Sequence, residues 1–167
     1  MGDQWSFKPD DKYKSTHQLI HLLVDIVGKG GNFRLNVGPQ PDGQLPAMAL
    51  VRLKEIGDWM KVNGEAIYGT RPIAPYKDGQ EVFTRKSQTV YAIYLIRNEG
   101  DPLPAQIKFR VLSPPSDSQV YVLGVKKPLA WRIESSGGIT IDLPPAVRKS
   151  PPCQHAITPK LEIMDPQ

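Results

Sequence analysis

A single alternating run between two helices constrains this chain more than any other feature of its sequence. Asn32, Arg34 and Asn36 alternate with Phe33, Leu35 and Val37, the period of a strand with one apolar face. Ahead of it, Ser15-Thr16-His17-Gln18 has the form of a capping box, in which the serine hydroxyl takes the Gln18 amide proton and the Gln18 side chain reaches back. Leu19, Ile20, Leu23, Val24 and Val27 then recur at helical spacing, which predicts one broad buried face. Gly28, Gly30 and Gly31 stop that helix. After the run, Gly38-Pro39-Gln40-Pro41-Asp42-Gly43 makes a rigid loop. Pro46 suits the first turn of a second helix, whose apolar face is marked by Ala49, Leu53, Ile56 and Met60 with Trp59 flanking it, until Asn63-Gly64 ends it. Helix, strand, loop, helix is the repeating unit of an α/β architecture, but one strand cannot make a sheet. Its edges of unpaired N–H and C=O groups must find partners. The sequence therefore predicts either a piece of a larger sheet or another chain that completes it.

The pattern changes near residue 70. Of 17 prolines in 167 residues, only Pro9, Pro39, Pro41 and Pro46 precede that point. Short alternating runs follow at 81–85, 89–97, 106–112, 119–123, 130–134, 138–143 and 161–164, separated by proline and glycine, which is the signature of an antiparallel sandwich or barrel. In the longest run Val90, Ala92, Tyr94 and Ile96 share one face and Tyr91, Ile93 and Leu95 the other. Apolar residues on both faces mark a central strand. The expected division is an incomplete α/β part at 1–70, a β-sandwich at 71–147 with a last strand in 155–164, and an otherwise proline-rich tail at 148–167. A complete α/β barrel, which takes about 250 residues, does not fit.

Charge narrows the function classes. Residues 1–70 hold eight Lys+Arg against eight Asp+Glu, so the whole net charge of +4 lies beyond them. There it is interleaved with acids, prolines and apolar residues, without the concentrated basic stripe of a nucleic-acid surface. No apolar run reaches the roughly twenty residues of a membrane helix. Residues 1–11 carry four charges and no apolar core, so they do not read as a signal peptide. A lone cysteine, Cys153, excludes an internal disulfide and any cysteine-rich metal site.

No motif of high specificity announces a reaction. Gly28-Lys29-Gly30-Gly31 lies between a helix and a strand, the reverse of the order in which glycine loops cradle phosphate. His17 and His21 are four apart on one helix, but no acidic residue completes a His-Glu-x-x-His pattern, so no metal is expected; His155 falls in the tail. Two carboxylates about 5 Å apart would permit retaining glycoside hydrolysis. Asp10 and Asp11 are adjacent in a polar loop, Asp25, Glu55 and Asp58 read as solvated helix faces, and Asp42 before Gly43 is turn chemistry. Trp5, Phe7 and Tyr13 gather aromatic area ahead of the first helix, suited to a core or to stacking on a sugar.

Recognition adds what spacing does not. Trp5-Ser6-Phe7-Lys8-Pro9-Asp10-Asp11-Lys12-Tyr13-Lys14-Ser15, Gly31-Asn32-Phe33-Arg34-Leu35-Asn36-Val37-Gly38-Pro39 and Val62-Asn63-Gly64-Glu65-Ala66-Ile67-Tyr68-Gly69-Thr70 resemble the α-L-fucosidases of glycoside hydrolase family 29. The resemblance runs in order through residues 3–71. It implies the last helix–strand–helix of a (β/α)8-type barrel followed by a C-terminal β-sandwich, in an enzyme that hydrolyses terminal α-L-fucosides with retention and no cofactor. It also implies that the nucleophilic aspartate and the acid/base glutamate lie upstream, so that no residue of this chain is catalytic and the chain is inactive alone. Trp5 is carried over as lining the fucose pocket, and Asn36, near the strand end where barrel sites open, as a second substrate-binding candidate. Arg34 departs from the aliphatic residue usual at its position, which places a charge inside an altered barrel or at a subunit interface. The expected partners are a fucosylated glycan or small fucoside, together with an oligomer or the missing barrel. The competing readings are a carbohydrate-contacting or assembly sandwich module and a site rebuilt by oligomerisation.

Overall fold

A computed structural model describes residues 1–110, 112 and 114–162. The end of the run expected at 161–164 lies outside them, as does Val111 of the run at 106–112. Helix α1 spans Thr16–Gly28. Its capping box is formed: the Ser15 hydroxyl accepts the Gln18 N–H at 3.2 Å, and the Gln18 side-chain oxygen accepts the Ser15 N–H at 2.9 Å. At the other end the Gly31 N–H donates to the Ile26 carbonyl and the Gly30 N–H to that of Val27, with Gly30 at φ +81°, the paired bonds of a Schellman stop. Gly28 has a second role. A Cβ there would lie 2.3 Å from Val82 Cγ1, so the helix end rests directly on the sheet.

Helix α2 spans Ala47–Asn63 after Pro46, and a 3-10 turn follows at Gly64–Ala66. Its buried face differs from the expected one. Trp59, expected at the flank, is buried, whereas Leu53 is exposed together with Met48, Leu50 and Val51. The cause is the surface α2 meets: Trp59 packs with Ile20 and Val24 of α1 against Tyr91, Ile93 and Leu95, which turns the predicted stripe partly outward.

Between the helices, residues 32–37 depart further from expectation. Phe33, Leu35 and Val37 are half-buried and Asn32, Arg34 and Asn36 exposed, so the alternation is present, but no ladder forms. A strand is defined by its neighbours, and none of the described residues pairs with this one.

The remaining strands are β1 (Arg71–Asp78), β2 (Glu81–Lys86), β3 (Thr89–Leu95), β4 (Gln106–Phe109), β5 (Tyr121–Val122), β6 (Trp131–Ile133), β7 (Ile139–Asp142), β8 (Ala156–Ile157) and β9 (Pro159–Glu162), with a short helix α3 at Pro145–Lys149. They form two antiparallel sheets. One runs β1-β2-β3-β9-β5 with β8 also on β3; the other runs β4-β7-β6. Side chains from both sheets, among them Phe83, Val90, Ile107, Phe109, Ile139, Ile141 and Leu161, fill the space between. The Phe83 and Phe109 rings meet edge to face at 6.2 Å, a favourable aromatic geometry. β3 is central as its two apolar faces require: Val90 and Ala92 point into the sandwich and Tyr91, Ile93 and Leu95 into the layer under α1 and α2.

Two proline-bearing stretches take structured roles, the first without any expected strand and the second where a last strand is expected within 155–164. β1 is an edge strand with Pro72 and Pro75 in it, where a missing N–H costs no ladder bond. Residues 156–162, within the proline-rich tail, supply β8 and β9, with Leu161 opposite Val90 and Lys160 opposite both Tyr91 and Tyr121.

Candidate functional site

The aromatic segment ahead of α1 lies against residues 36–38. The Asn36 side-chain amide donates to the Trp5 carbonyl at 2.7 Å. A Cβ on Gly38 would fall 2.5 Å from the Phe7 nitrogen, so the two backbones touch where only glycine fits. Asp11 holds the other side of the loop, its carboxylate accepting from the Asp3, Gln4 and Lys12 N–H groups. These contacts bring Trp5 and Asn36 together on one open cleft of about 550 Å³, lined also by Asp3, Lys14, Phe33 and Arg34. Trp5 is 90% exposed. An indole face beside amide, ammonium, guanidinium and carboxylate groups can stack on an apolar ring face and bond to hydroxyls. Asp3 is the single carboxylate among the lining residues, whereas retaining glycoside hydrolysis takes two.

Several other carboxylates have structural partners. Asp42 accepts the Gln44 N–H at 3.0 Å as a turn. Asp25 is paired with Lys29 and Lys77, and hydrogen bonding to Lys29 holds its carboxyl below the usual range. Asp58 is held at about 2 by hydrogen bonds from Lys54 and Lys61. Glu55 accepts from Thr16 and Arg52. Glu65 accepts from the Tyr91 hydroxyl and from Lys160, each at 2.8 Å, tying the turn after α2 to the sheet. Among the described residues no group of three or more His, Cys, Asp or Glu is placed to hold a metal ion, and no helix is long and apolar enough to cross a membrane.

A second cluster was not legible in sequence. His155 joins His17 and His21, with ring centroids 4.0 Å apart for His17–His21 and 5.6 Å for His17–His155. Their meeting depends on the fold that carries residue 155 back to α1. Nearby, Cys153 is pushed up to about 11 by burial, the signature of an inert thiol.

Comparison with known proteins gives this geometry a family. Residues 1–65 match the family model described as alpha-L-fucosidase, and residues 79–162 match that described as alpha-L-fucosidase C-terminal domain. The chain is 34% identical over 158 residues to the α-L-fucosidase of Branchiostoma floridae, covering 91% of this chain and 34% of that protein. It is 31% identical over 163 residues to human tissue α-L-fucosidase, covering 94% and 34%. Among solved structures, α-L-fucosidase isoenzyme 1 from Paenibacillus thiaminolyticus superposes with a TM-score of 0.81 at 26% identity, over 98% of this chain and 38% of that one. An α-fucosidase from Thermotoga maritima, in complex with fucose, gives 0.78 at 29% identity, over 94% and 37%. The chain thus spans about a third of the length of these relatives. With two successive family models matched in order along it, the chain belongs to the α-L-fucosidases of glycoside hydrolase family 29.

Proposed function

We propose that this chain is the C-terminal part of a retaining α-L-fucosidase acting on terminal α-L-fucosides of glycans or small fucosides, with its nucleophilic aspartate and acid/base glutamate supplied by polypeptide upstream. The observation that carries this reading is the order of the two family matches on a chain about a third as long as its relatives. The unpaired alternating residues 32–37 between α1 and α2 support it, since they have the side-chain pattern of a barrel strand without its neighbours. The fucose bound in the Thermotoga maritima relative supports the substrate class. In this reading Trp5 stacks on the sugar and Asn36 holds Trp5 through its carbonyl. Arg34, exposed on the same cleft, faces either the barrel interior or a neighbouring subunit.

The test is release of nitrophenol from 4-nitrophenyl α-L-fucoside by the 167-residue chain alone and by the same chain together with the upstream barrel. The expected result is activity in the second case and a blank in the first. Turnover by the chain alone, lost on replacing Asp10, Asp11 or Asp42, would overturn the assignment of chemistry to upstream carboxylates. A second reading, a carbohydrate-contacting module, is favoured by the exposure of Trp5. It predicts glycan binding that Trp5→Ala abolishes, without turnover in either preparation. A higher solution mass than one chain would support completion of the unpaired segment by a second copy.

A further inference from the structure

All three histidines of the chain meet at the seam between α1 and the loop that leads into β8. His17 and His21 present adjacent rings from α1, and His155 meets His17 edge-on from the sandwich side. His17 is 9% exposed, and its buried Nδ1 has no hydrogen-bond partner. The His21 Nε2 lies 3.1 Å from the His155 carbonyl, and His155 itself takes φ +73°. The next residue, Ala156, starts β8 and accepts the indole N–H of buried Trp59 at 3.0 Å. The same few residues therefore join helix to helix and helix to sheet.

We propose that this cluster is an acid-sensitive latch: neutral imidazoles hold α1 and α2 on the sandwich, and proton uptake by His21 and His155, packed around buried His17, loosens that seam. A cationic ring packed against another imidazole in this seam is poorly solvated, and like charges here repel. The surroundings compensate only in part. Lys77 of β1 faces His21; at His155, Glu99 of the β3–β4 loop and Glu55 of α2 each favour the charged ring more than Arg52 of α2 opposes it, but less than burial and His17 oppose it. Burial is the largest cause holding both His21 and His155 below the ordinary histidine value; the hydrogen bond to the His155 carbonyl opposes it at His21, and His17 adds to it at His155. The linkage sign follows: the loosened state binds protons more readily, so seam stability is present above the ordinary histidine range near 6.5 and is lost as pH falls through the depressed native values.

The experiment uses the full chain. Ring-proton NMR titration of the wild type is expected to show coupled steps for His21 and His155, displaced below the ordinary midpoint. Exchange protection of the Trp59 indole N–H is expected to fall on acidification before that of amides in β7. The urea midpoint is expected to drop as pH falls below about 6.5 and through the depressed native values of His21 and His155. A double variant, His21→Gln with His155→Asn, is expected to lose at least half of that drop; asparagine is chosen because it tolerates positive φ. His21 and His155 titrating independently at or above the ordinary value would overturn the latch, as would an unchanged pH dependence in the double variant. Should the variant fail to fold, the wild-type ring titration decides.

Discussion

Thr158→Val isolates one buried bond that fixes α2 to the sandwich. The Thr158 hydroxyl donates to the Asn63 side-chain oxygen at 2.7 Å, and both residues are fully buried. The Asn63 amide already donates to the Trp59 carbonyl at 3.1 Å and to the Cys153 sulfur at 3.2 Å, so the asparagine cannot turn to find another donor without breaking these. Valine keeps the shape of threonine and removes only the donor. The stranded acceptor costs about 1–3 kcal/mol. The added apolar methyl offsets less than about 1 kcal/mol, so the expected net loss is about 1–2 kcal/mol. For a domain of this size that amounts to roughly 2–8 °C in melting temperature. The assay is urea unfolding followed by tryptophan fluorescence, run as a cycle with Asn63→Ala. Once the acceptor is gone, Thr158→Val should cost almost nothing, giving a coupling of about 1–2 kcal/mol. Equal costs in both backgrounds, or no cost in the wild-type background, would refute the account of a dry, committed oxygen at this seam.

Ile141→Ala, deep between the sheets, should destabilise by about 2–5 kcal/mol in the same melt, as large-to-small core changes do. Gly38→Ala forces a methyl onto the Ser6–Phe7 backbone; it should cost about 1–3 kcal/mol and expose residues 1–10 to limited proteolysis. Cys153, with its thiol pushed up to about 11, should resist a thiol reagent at mildly alkaline pH and react fully once urea unfolds the chain. In an NMR titration the Asp58 carboxyl should change charge at about 2, and the double variant Lys54→Ala with Lys61→Ala should return it towards its ordinary value of 3.8.

What was legible in the sequence was local. The Ser15 box, the glycine stop and the alternation of β2, β3 and β7 depend on residues a few positions apart, and each formed where expected. The full burial of Trp59 has no local signal, because the helical period finds an apolar stripe but not the surface it will meet. β1 has no signal in the sequence, because Pro72 and Pro75 are breakers anywhere except at a sheet edge, and edge position is a property of the finished sheet. Residues 32–37 show the limit most clearly: their alternation survives, but a ladder is made by neighbours. In the candidate site, the aromatic segment pointed to Trp5, whereas its carbonyl contact with Asn36, across 31 positions, had no local signal. His155 reaches α1 only through the pairing of β8 with β3.

The placement of β9 between β3 and β5 also dictates a time order during synthesis. β3 is made early and can pair with β2 at once, but its other edge waits for residues 156–162. Until those leave the ribosome, Tyr91 and Val90 sit on an open strand edge, the kind of template on which chains aggregate. Shortening the chain by its last strands would therefore do more than trim an end. It would leave the central strand of the sheet permanently half-paired.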